Sequence, residues 1–291
     1  MRRYAHAAIT GGSGLLGLAL ARTLIEQELC EEITLCSRTR PELGELAALA
    51  AAHGVSLGWQ ACDVQDLPRL RAFIAACHAR RPLELLILNA GVSLSKSVAI
   101  PAATCGGPGP DCRLEDEHEI ARAFATNAIS PAHAALYAVQ EWQRAPAPGR
   151  HLQLVAISSL AALAPLSSPL YSATKSALTV HMLALGQQLR PCGIRVSVVL
   201  PGFVKTAMSD RFRGPKPGMI SAGRAAALIM AGVVRQRRVV AFPWYLYAAL
   251  RLLGVLPQGL QELLLRAFAF EVEPDAERRR LDQAGGGRGM R

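Results

Sequence analysis

Short apolar runs alternate with longer helical patterns through most of this chain, and that alternation is its strongest structural constraint. The runs predict strands at Ala5–Ile9, Ile33–Ser37, Val55–Ala61, Leu83–Leu88, His151–Ile157, Ile194–Leu200 and Arg238–Phe242. The patterns between them predict helices at Leu15–Glu28, Glu42–His53, Leu67–Ala79, Glu117–Trp142, Tyr171–Leu189 and Ala225–Val234. Continuously apolar strands are buried on both faces, which requires helices on each side of a parallel sheet. The sequence therefore predicts an α/β fold with a doubly wound parallel sheet.

Composition and charge exclude several classes of protein. Hydrophobic residues make up 51% of the 291 residues and charged residues 19%, a balance typical of a folded chain. The formal net charge of +10 is compatible with binding to nucleic acid. However, the basic stretches at Arg235–Arg238 and in the tail from Glu277 are not interleaved with aromatic residues. We expect a solvated basic surface and no nucleic-acid partner.

Cysteine and histidine usage indicates the compartment and argues against a metal centre. The seven cysteines include no Cys-x-x-Cys pair, as in proteins of a reducing cytoplasm. The seven histidines show no metal-ligand spacing, so we expect no metal site. Glycines from Gly11 onward interrupt the apolar start of the chain, so we assign no export signal.

A glycine-rich turn follows the first predicted strand and opens the first predicted helix. Glycines there permit a tight turn and a close backbone approach to a pyrophosphate, while the free N–H groups of the helix terminus attract the anion. Any tight strand-to-helix turn favours glycine, so the position of the turn in the fold carries the argument. We assign dinucleotide binding to this turn, with the candidate residues Thr10, Gly11, Ser13, Gly14, Leu15 and Gly17.

The end of the second predicted strand indicates which dinucleotide binds. An acidic side chain there would accept a hydrogen bond from the adenosine ribose of NAD, whereas this chain has Ser37 and Arg38. An arginine at this place suits bidentate contact with the 2′-phosphate, the alternative being a solvent-facing loop arginine. NADP(H) is therefore favoured over NAD(H), with Ser37 and Arg38 as candidate ligands.

Tyr171 and Lys175 lie one helical turn apart at the start of a predicted helix. This spacing places phenol and ammonium on one face, where the positive charge lowers the pKa of the phenol and prepares it for proton transfer. Upstream, Ser158 and Ser159 end a predicted strand, where a hydroxyl is available to a reacting carbonyl oxygen. Each feature alone is common, but their order after a dinucleotide-binding turn is not.

From Tyr4 to about Met208 the chain resembles the short-chain dehydrogenase/reductase family of the classical type, which implies a Rossmann fold. The resemblance rests on the glycine turn with Thr10-Gly11, Asp63-Val64, Asn89-Ala90-Gly91, Asn127, Ser158-Ser159, Tyr171 with Lys175, and the segment Pro201 to Thr206. It implies a catalytic tyrosine that exchanges a proton with the substrate, a lysine that tunes it, a serine that holds the substrate oxygen and an asparagine that supports a proton relay. The implied catalytic set is Asn127, Ser159, Tyr171 and Lys175.

The same resemblance implies a set of cofactor contacts. Asp63 and Val64 would frame the adenine. The nicotinamide half would lie against residues that follow later strands, together with Tyr171 and Lys175 of the catalytic set. These later residues are Asn89, Ala90, Gly91, Pro201, Gly202, Val204 and Thr206.

Two departures from the family pattern are visible in the sequence. Gly11, Gly14 and Gly17 are spaced as in the extended branch, which acts on nucleotide sugars. The distance to Tyr171 fits Ser158 as the catalytic serine, whereas the local Ser-Ser-x-Ala context favours Ser159. We choose Ser159.

The C-terminal region leaves the alternating pattern. We divide the chain into a catalytic domain at residues 1–242, an apolar helical extension at 243–272 packed on that single domain, and a disordered tail at 273–291. The stretch from Trp244 to Leu256 is too short to span a bilayer. Three interpretations of residues 243–270 stay open: a helix pair buried on the core or a subunit partner, an interfacial segment in peripheral contact with a membrane, and an apolar lid over the substrate.

These observations together predict a cytoplasmic oxidoreductase. Whether it also makes a peripheral membrane contact stays open. It would transfer hydride between NADP(H) and a ketone or secondary alcohol, with a hydrophobic or lipid-linked small-molecule substrate. The alternatives are a nucleotide-sugar reductase or epimerase, and a non-catalytic dinucleotide sensor. The family resemblance also implies a homodimer or homotetramer.

Overall fold

A computed structural model describes residues 3–93, 115–145, 149–164, 169–213, 215–266 and 271–272 of the chain. Its strands are β1 (Tyr4–Thr10), β2 (Cys30–Ser37), β3 (Ser56–Ala61), β4 (Leu83–Leu88), β5 (Gln153–Ile157), β6 (Arg195–Pro201), β7 (Val204–Lys205), β8 (Phe212–Arg213), β9 (Ile220–Ser221), β10 (Val239–Phe242) and β11 (Glu271–Val272). Seven of them form a parallel sheet in the order β10-β6-β5-β4-β1-β2-β3. The remaining four pair as β7 with β9 and β8 with β11.

Helices cover both faces of this sheet. They are α1 (Leu15–Glu26), α2 (Gly44–Ala52), α3 (Leu67–Arg80), α4 (Glu117–Phe124), α5 (Ser130–Arg144), α6 (Pro169–Leu189), α7 (Ala207–Asp210), α8 (Ala222–Val234), α9 (Trp244–Leu253) and α10 (Gln258–Arg266). The core on one face takes its side chains from α1, α2 and α8, including Leu24 and Ile229. The core on the other face takes them from α3, α5 and α6, including Phe73 and Met182. The predicted doubly wound α/β fold is confirmed.

The sheet has a single point where the direction of winding changes. β1 pairs with β2 on one side and with β4 on the other. The chain therefore adds β2 and β3 on one side of β1, and then β4, β5, β6 and β10 on the other side. In open α/β sheets, a crevice forms at the carboxyl ends of the strands at such a point. The turn after β1 and the segment after β4 therefore face the same crevice.

One predicted helix is divided in the structure. The pattern from Glu117 to Trp142 predicted a single helix, but α4 and α5 are separated by a π-helical turn at Ala125–Ile129. Pro131 has no N–H to offer the carbonyl of Asn127, four residues earlier, and the Ser130 hydroxyl donates to the Ala125 carbonyl at 2.6 Å. Such single π turns are frequent at functional sites, and this one carries Asn127.

β2 begins at Cys30, three residues before the predicted start. The predicted strand left out Glu31 and Glu32, but Glu32 is only 4% exposed and belongs to the strand. Its carboxylate lies 2.7 Å from the Arg80 Nε and 3.3 Å from the Arg81 Nε. A buried charge is tolerated when it is paired, and this pairing lets the strand continue through a charged position.

The region after β10 contains α9 and α10, joined by a short turn. Within the described ranges, no helix is long and apolar enough to cross a membrane. Most of the predicted loop at 92–115 and the whole predicted tail at 273–291 lie outside the described residues.

Candidate active site

The crevice at the carboxyl edge of the sheet is a cavity of about 730 Å³. It runs from the turn after β1 across the ends of β2, β3, β4, β5 and β6 to α9. The predicted site residues that line it are Gly11, Ser13, Gly14, Leu15, Gly17, Ser37, Arg38, Asp63, Val64, Asn89, Ala90, Gly91, Ser159, Tyr171, Lys175, Pro201, Gly202, Val204 and Thr206. Thr10 and Asn127 support this lining through the contacts given below.

The glycine turn packs so closely that side chains are excluded at three positions, Gly11, Gly12 and Gly17. Gly11 has a φ of +67°, and a Cβ on it would lie 2.8 Å from the Ala90 Cα. A Cβ on Gly17 would lie 2.5 Å from the Gly11 carbonyl oxygen. Gly14 differs, because a Cβ there would meet only that same oxygen, at 3.5 Å. Gly14 is the N-cap of α1 and lines the cavity, so open space adjoins the helix terminus.

Thr10 and Asn89 hold the ends of β1 and β4 together. The Thr10 Oγ1 accepts hydrogen bonds from the Asn89 and Ala90 N–H groups at 3.0 and 3.2 Å. The Asn89 Nδ2 donates to the carbonyls of Thr10 and Gly11, both at 3.1 Å. This reciprocal contact fixes the floor of the crevice.

The ends of β2 and β3 form one end of the cavity. Arg38 is exposed there. Asp63 also lines this end, and its Oδ1 accepts a hydrogen bond from the Gln65 N–H at 3.0 Å. Ser37 is buried, and its hydroxyl donates to the Thr39 carbonyl at 2.8 Å. The proton of that hydroxyl is therefore used within the turn.

Ser159 and Tyr171 meet near the middle of the cavity. Their side chains are hydrogen-bonded to each other. Burial raises the pKa of Tyr171 to about 12, and the hydrogen bond with Ser159 lowers it by less than burial raises it. Ser158 lies elsewhere: its hydroxyl donates to the Lys175 carbonyl at 3.0 Å and lies 2.7 Å from the Thr179 hydroxyl. The structure thus brings Ser159, and not Ser158, to the phenol.

Lys175 follows Tyr171 by one turn of α6. Its Nζ lies 5.8 Å from the centroid of the Tyr171 ring and donates to the Ile157 carbonyl at 2.9 Å. Burial lowers the pKa of Lys175 to about 8. The amine therefore stays largely charged at neutral pH beside the phenol. The predicted lowering of the tyrosine pKa by this charge was wrong, because burial outweighs the opposing effect and leaves the pKa of Tyr171 raised.

Asn127 is fully buried behind these groups. Its amide donates to the Val92 carbonyl at 2.8 Å and to the Thr174 hydroxyl at 3.0 Å, and its Oδ1 accepts from the Val92 N–H at 2.8 Å. A Cβ on Gly91 would lie 3.3 Å from both the Asn127 Oδ1 and the Lys175 Nζ. The π turn, the segment after β4 and α6 are thus joined at one side chain.

The segment after β6 forms the next wall. The Gly202 N–H donates to the Phe242 carbonyl at 2.7 Å, and a Cβ on Gly202 would lie 2.9 Å from the Pro243 Cδ. The Thr206 hydroxyl caps α7 by accepting a hydrogen bond from the Ser209 N–H, and the Ser209 hydroxyl accepts one from the Thr206 N–H. This double cap orients the wall that faces Tyr171.

The residues of α9 that line the cavity were not predicted individually. They are Leu246, Ala249, Leu250 and Leu253. Their i, i+3, i+4, i+7 spacing marks one face of a helix and is a signal that the sequence contained. The sequence alone did not show that this face turns toward the catalytic residues.

Comparison with known proteins identifies this arrangement. The family profile described as short chain dehydrogenase matches residues 5–216. The chain belongs to the short-chain dehydrogenase family. An uncharacterized oxidoreductase of Myxococcus xanthus is 32% identical to it over 270 residues, which cover 90% of this chain and 97% of that protein.

Two further relatives are less similar in sequence. The granaticin polyketide synthase putative ketoacyl reductase 1 of Streptomyces violaceoruber is 28% identical over 210 residues, covering 71% of this chain and 70% of that protein. The solved short-chain dehydrogenase from Sphingobium yanoikuyae, in complex with NADPH, has a TM-score of 0.67 at 21% identity and covers 87% of this chain and 97% of its own. At that identity, the structural likeness shows the fold alone.

Short-chain dehydrogenases bind a nicotinamide dinucleotide, and the site of this member fits one. The start of α1 offers N–H groups without a side-chain cap, beside the open space at Gly14 where a diphosphate would lie. The cavity continues from there to Tyr171 and Lys175, so one extended molecule would reach from the β2 end to the catalytic groups. The described residues contain no group of three or more His, Cys, Asp or Glu that could hold a metal ion.

Proposed function

We propose that this short-chain dehydrogenase is an NADP(H)-dependent carbonyl reductase or alcohol dehydrogenase that acts on a hydrophobic ketone or secondary alcohol. The observation that carries the proposal is the hydrogen bond between Ser159 and Tyr171, with the Lys175 ammonium one helical turn away. These groups face a cavity of about 730 Å³, within the usual size range of small-molecule and cofactor sites.

Tyr171 is the proton donor in the reduction direction. A phenol whose pKa is about 12 is protonated at neutral pH, which is the form that gives its proton to a carbonyl oxygen. The Ser159 hydroxyl donates a hydrogen bond to the same oxygen and orients the carbonyl. Lys175 stabilises the phenolate that remains, because its charge lies beside the ring.

The cofactor would be held by residues along the whole cavity. The turn at Gly11–Gly17 would hold the diphosphate, Arg38 the 2′-phosphate, and Asp63 with Val64 the adenine, while the segments after β4 and β6 would hold the nicotinamide half. When bound, the nicotinamide supplies or accepts the hydride. Asn127 supports this end by fixing the backbone at Val92.

The choice of a hydrophobic substrate rests on the wall opposite the catalytic groups. Leu246, Leu250 and Leu253 of α9 contribute apolar side chains there, and Phe212 and Leu264 extend the same wall. A long apolar chain bound along this wall would exclude water from the reacting carbonyl. An apolar wall disfavours the sugar of a nucleotide sugar, whose hydroxyl groups would lose their hydrogen bonds to water.

Calorimetric titration with NADPH and NADH, followed by a screen of ketones of increasing chain length, tests the proposal. We expect tighter binding of NADPH and a kcat/KM that rises with chain length. The Ala249→Phe variant adds a ring to the apolar wall and narrows the cavity beside it. The highest kcat/KM should then move to shorter ketones, while the affinity for NADPH is retained. Turnover of nucleotide sugars, or binding without turnover of any ketone, would contradict the proposed substrate class.

We also propose that the outer face of α9 and the turn after it contact a membrane surface. Trp244 is 76% exposed, Leu252 65% and Val255 75%, and Arg251 is exposed on the same helix. Aromatic and aliphatic side chains beside a cation are typical of interfacial helices. Flotation of the full chain with anionic vesicles should exceed that of a Leu252→Ser/Val255→Ser variant. Equal recovery of both proteins in the lipid-free fraction would contradict the contact.

A further inference from the structure

The turn that carries Arg38 is anchored at its first residue. The Ser37 hydroxyl donates to the Thr39 carbonyl at 2.8 Å and accepts a hydrogen bond from the Trp59 Nε1, also at 2.8 Å. Trp59 is on β3, the edge strand of the sheet, and its ring packs partly buried against the core formed with α1 and α2. One side of the turn is therefore attached to the sheet through an indole.

The same indole holds the other side of the turn. The Arg40 guanidinium carbon lies 5.9 Å from the centroid of the Trp59 ring, within the range of a cation–π contact. Arg38 lies between these two anchored residues, exposed at the cavity. Among the described residues it has no ion-pair partner, so no carboxylate in that part of the chain competes for its guanidinium.

We propose that Trp59 is a positioning residue for cofactor selection, and that it acts through Arg38. By fixing Ser37 and Arg40, Trp59 restricts the turn before the cofactor arrives and directs Arg38 to the ribose 2′ position. A pre-ordered group loses less conformational entropy on binding, so the gain falls on the ligand that carries the 2′-phosphate. Arg40 adds a second positive charge to the turn, at the ring of Trp59. This role rests on the proposed NADP(H) preference.

The test is calorimetric measurement of the Kd for NADPH and for NADH in a set of full-length variants. Trp59→Leu removes both contacts and should weaken NADPH binding about tenfold with little change for NADH. Trp59→Phe keeps a ring under Arg40 but loses the N–H group, so its effect should be intermediate. Leu57→Ala is the matched control, because Leu57 packs partly buried on the same strand and core but pairs with Ile33, four residues before Ser37.

The Arg38→Ala/Trp59→Leu double variant separates positioning from general support of the fold. If Trp59 acts through Arg38, the double variant binds NADPH no more weakly than Arg38→Ala alone. Additive losses, or a loss in Trp59→Leu that is equal for NADPH and NADH, would overturn the role.

The outcomes also distinguish this inference from the function on which it rests. A wild-type chain that binds NADPH no more tightly than NADH overturns the cofactor proposal, and this role with it. A wild-type preference for NADPH that persists undiminished in Trp59→Leu overturns the role of Trp59 alone.

Discussion

The hydroxyls of Ser158 and Thr179 lie 2.7 Å apart, and this contact keeps the first serine of the pair away from Tyr171. Ser158 also donates to the carbonyl of Lys175, so it joins the end of β5 to α6. The neighbouring Ser159 is the residue that reaches the phenol. The two serines therefore have separable positions: Ser158 joins β5 to α6, and Ser159 lies where we propose that the substrate oxygen binds.

The first prediction contrasts Ser159→Ala with Ser158→Ala. Loss of the Ser159 hydroxyl should lower kcat by about 10²- to 10³-fold, as for removal of one donor to a reacting oxygen, with the fold intact. Loss of the buried Ser158 hydroxyl should instead lower the free energy of unfolding by about 1 to 3 kcal/mol, with a smaller effect on kcat. Steady-state kinetics and urea unfolding of both variants check this, and the reverse pattern would assign the catalytic hydroxyl to Ser158.

The second prediction concerns the glycine turn. Gly11→Ala places a side chain at positive φ and against Ala90, so it should destabilise the fold by roughly 1 to 3 kcal/mol. Gly14→Ala meets little resistance from the protein and should change stability by no more than about 1 kcal/mol, but its methyl group enters the space assigned to the diphosphate. Thermal unfolding and NADPH titration distinguish the two. Unchanged NADPH affinity in Gly14→Ala would place the diphosphate elsewhere.

The third prediction follows from the lowered pKa of Lys175. Folding buries this amine and lowers its pKa to about 8, below the value of 10.5 of an exposed lysine. Between these values the unfolded chain binds more protons than the folded chain, so this group makes stability rise with pH. Lys175→Met removes the effect. We expect the stability of the wild type, relative to Lys175→Met, to increase from pH 8 to pH 10 in urea unfolding, and a constant difference would contradict the burial of a titrating amine.

The fourth prediction concerns His6, far from the active site. Burial lowers its pKa, an effect that the Glu32 carboxylate opposes and Arg80 reinforces, while the ring contacts the Thr34 hydroxyl and the Cys77 carbonyl. As the pH falls through about 6.5, His6 therefore binds a proton in the unfolded chain but not yet in the folded chain. Its stabilising contribution is present above about pH 6.5 and is lost as the pH falls below that value. In His6→Asn the dependence of unfolding free energy on pH between 5 and 7 should be weaker, and equal slopes would contradict this assignment.

The sequence was sufficient for the seven strands of the main sheet and the helices between them, since apolar runs and the glycine turn are local signals. It did not predict the short strands β7, β8, β9 and β11 or the short helix α7. It did not reveal the division between α4 and α5, because Pro131 fits the first turn of a helix as well as a break. It also did not show Glu32 as buried, since its partners Arg80 and Arg81 lie at the end of α3.

The local Ser-Ser-x-Ala context was enough to choose Ser159, whose side chain the structure places against Tyr171. The contact of Ser158 with Thr179 and the position of α9 at the cavity depend on how distant parts of the chain meet, so the sequence alone did not show them.

The most direct test of the proposed function is the rate of NADPH oxidation with an apolar ketone by the wild type and by Tyr171→Phe. The phenylalanine keeps the ring beside Lys175 and removes only the hydroxyl that meets Ser159. We predict that Tyr171→Phe binds NADPH with nearly unchanged affinity and loses about 10²- to 10⁴-fold in kcat/KM, the size of a general-acid contribution. A Tyr171→Phe variant that reduces the ketone at the wild-type rate would contradict the assignment of Tyr171 as the proton donor.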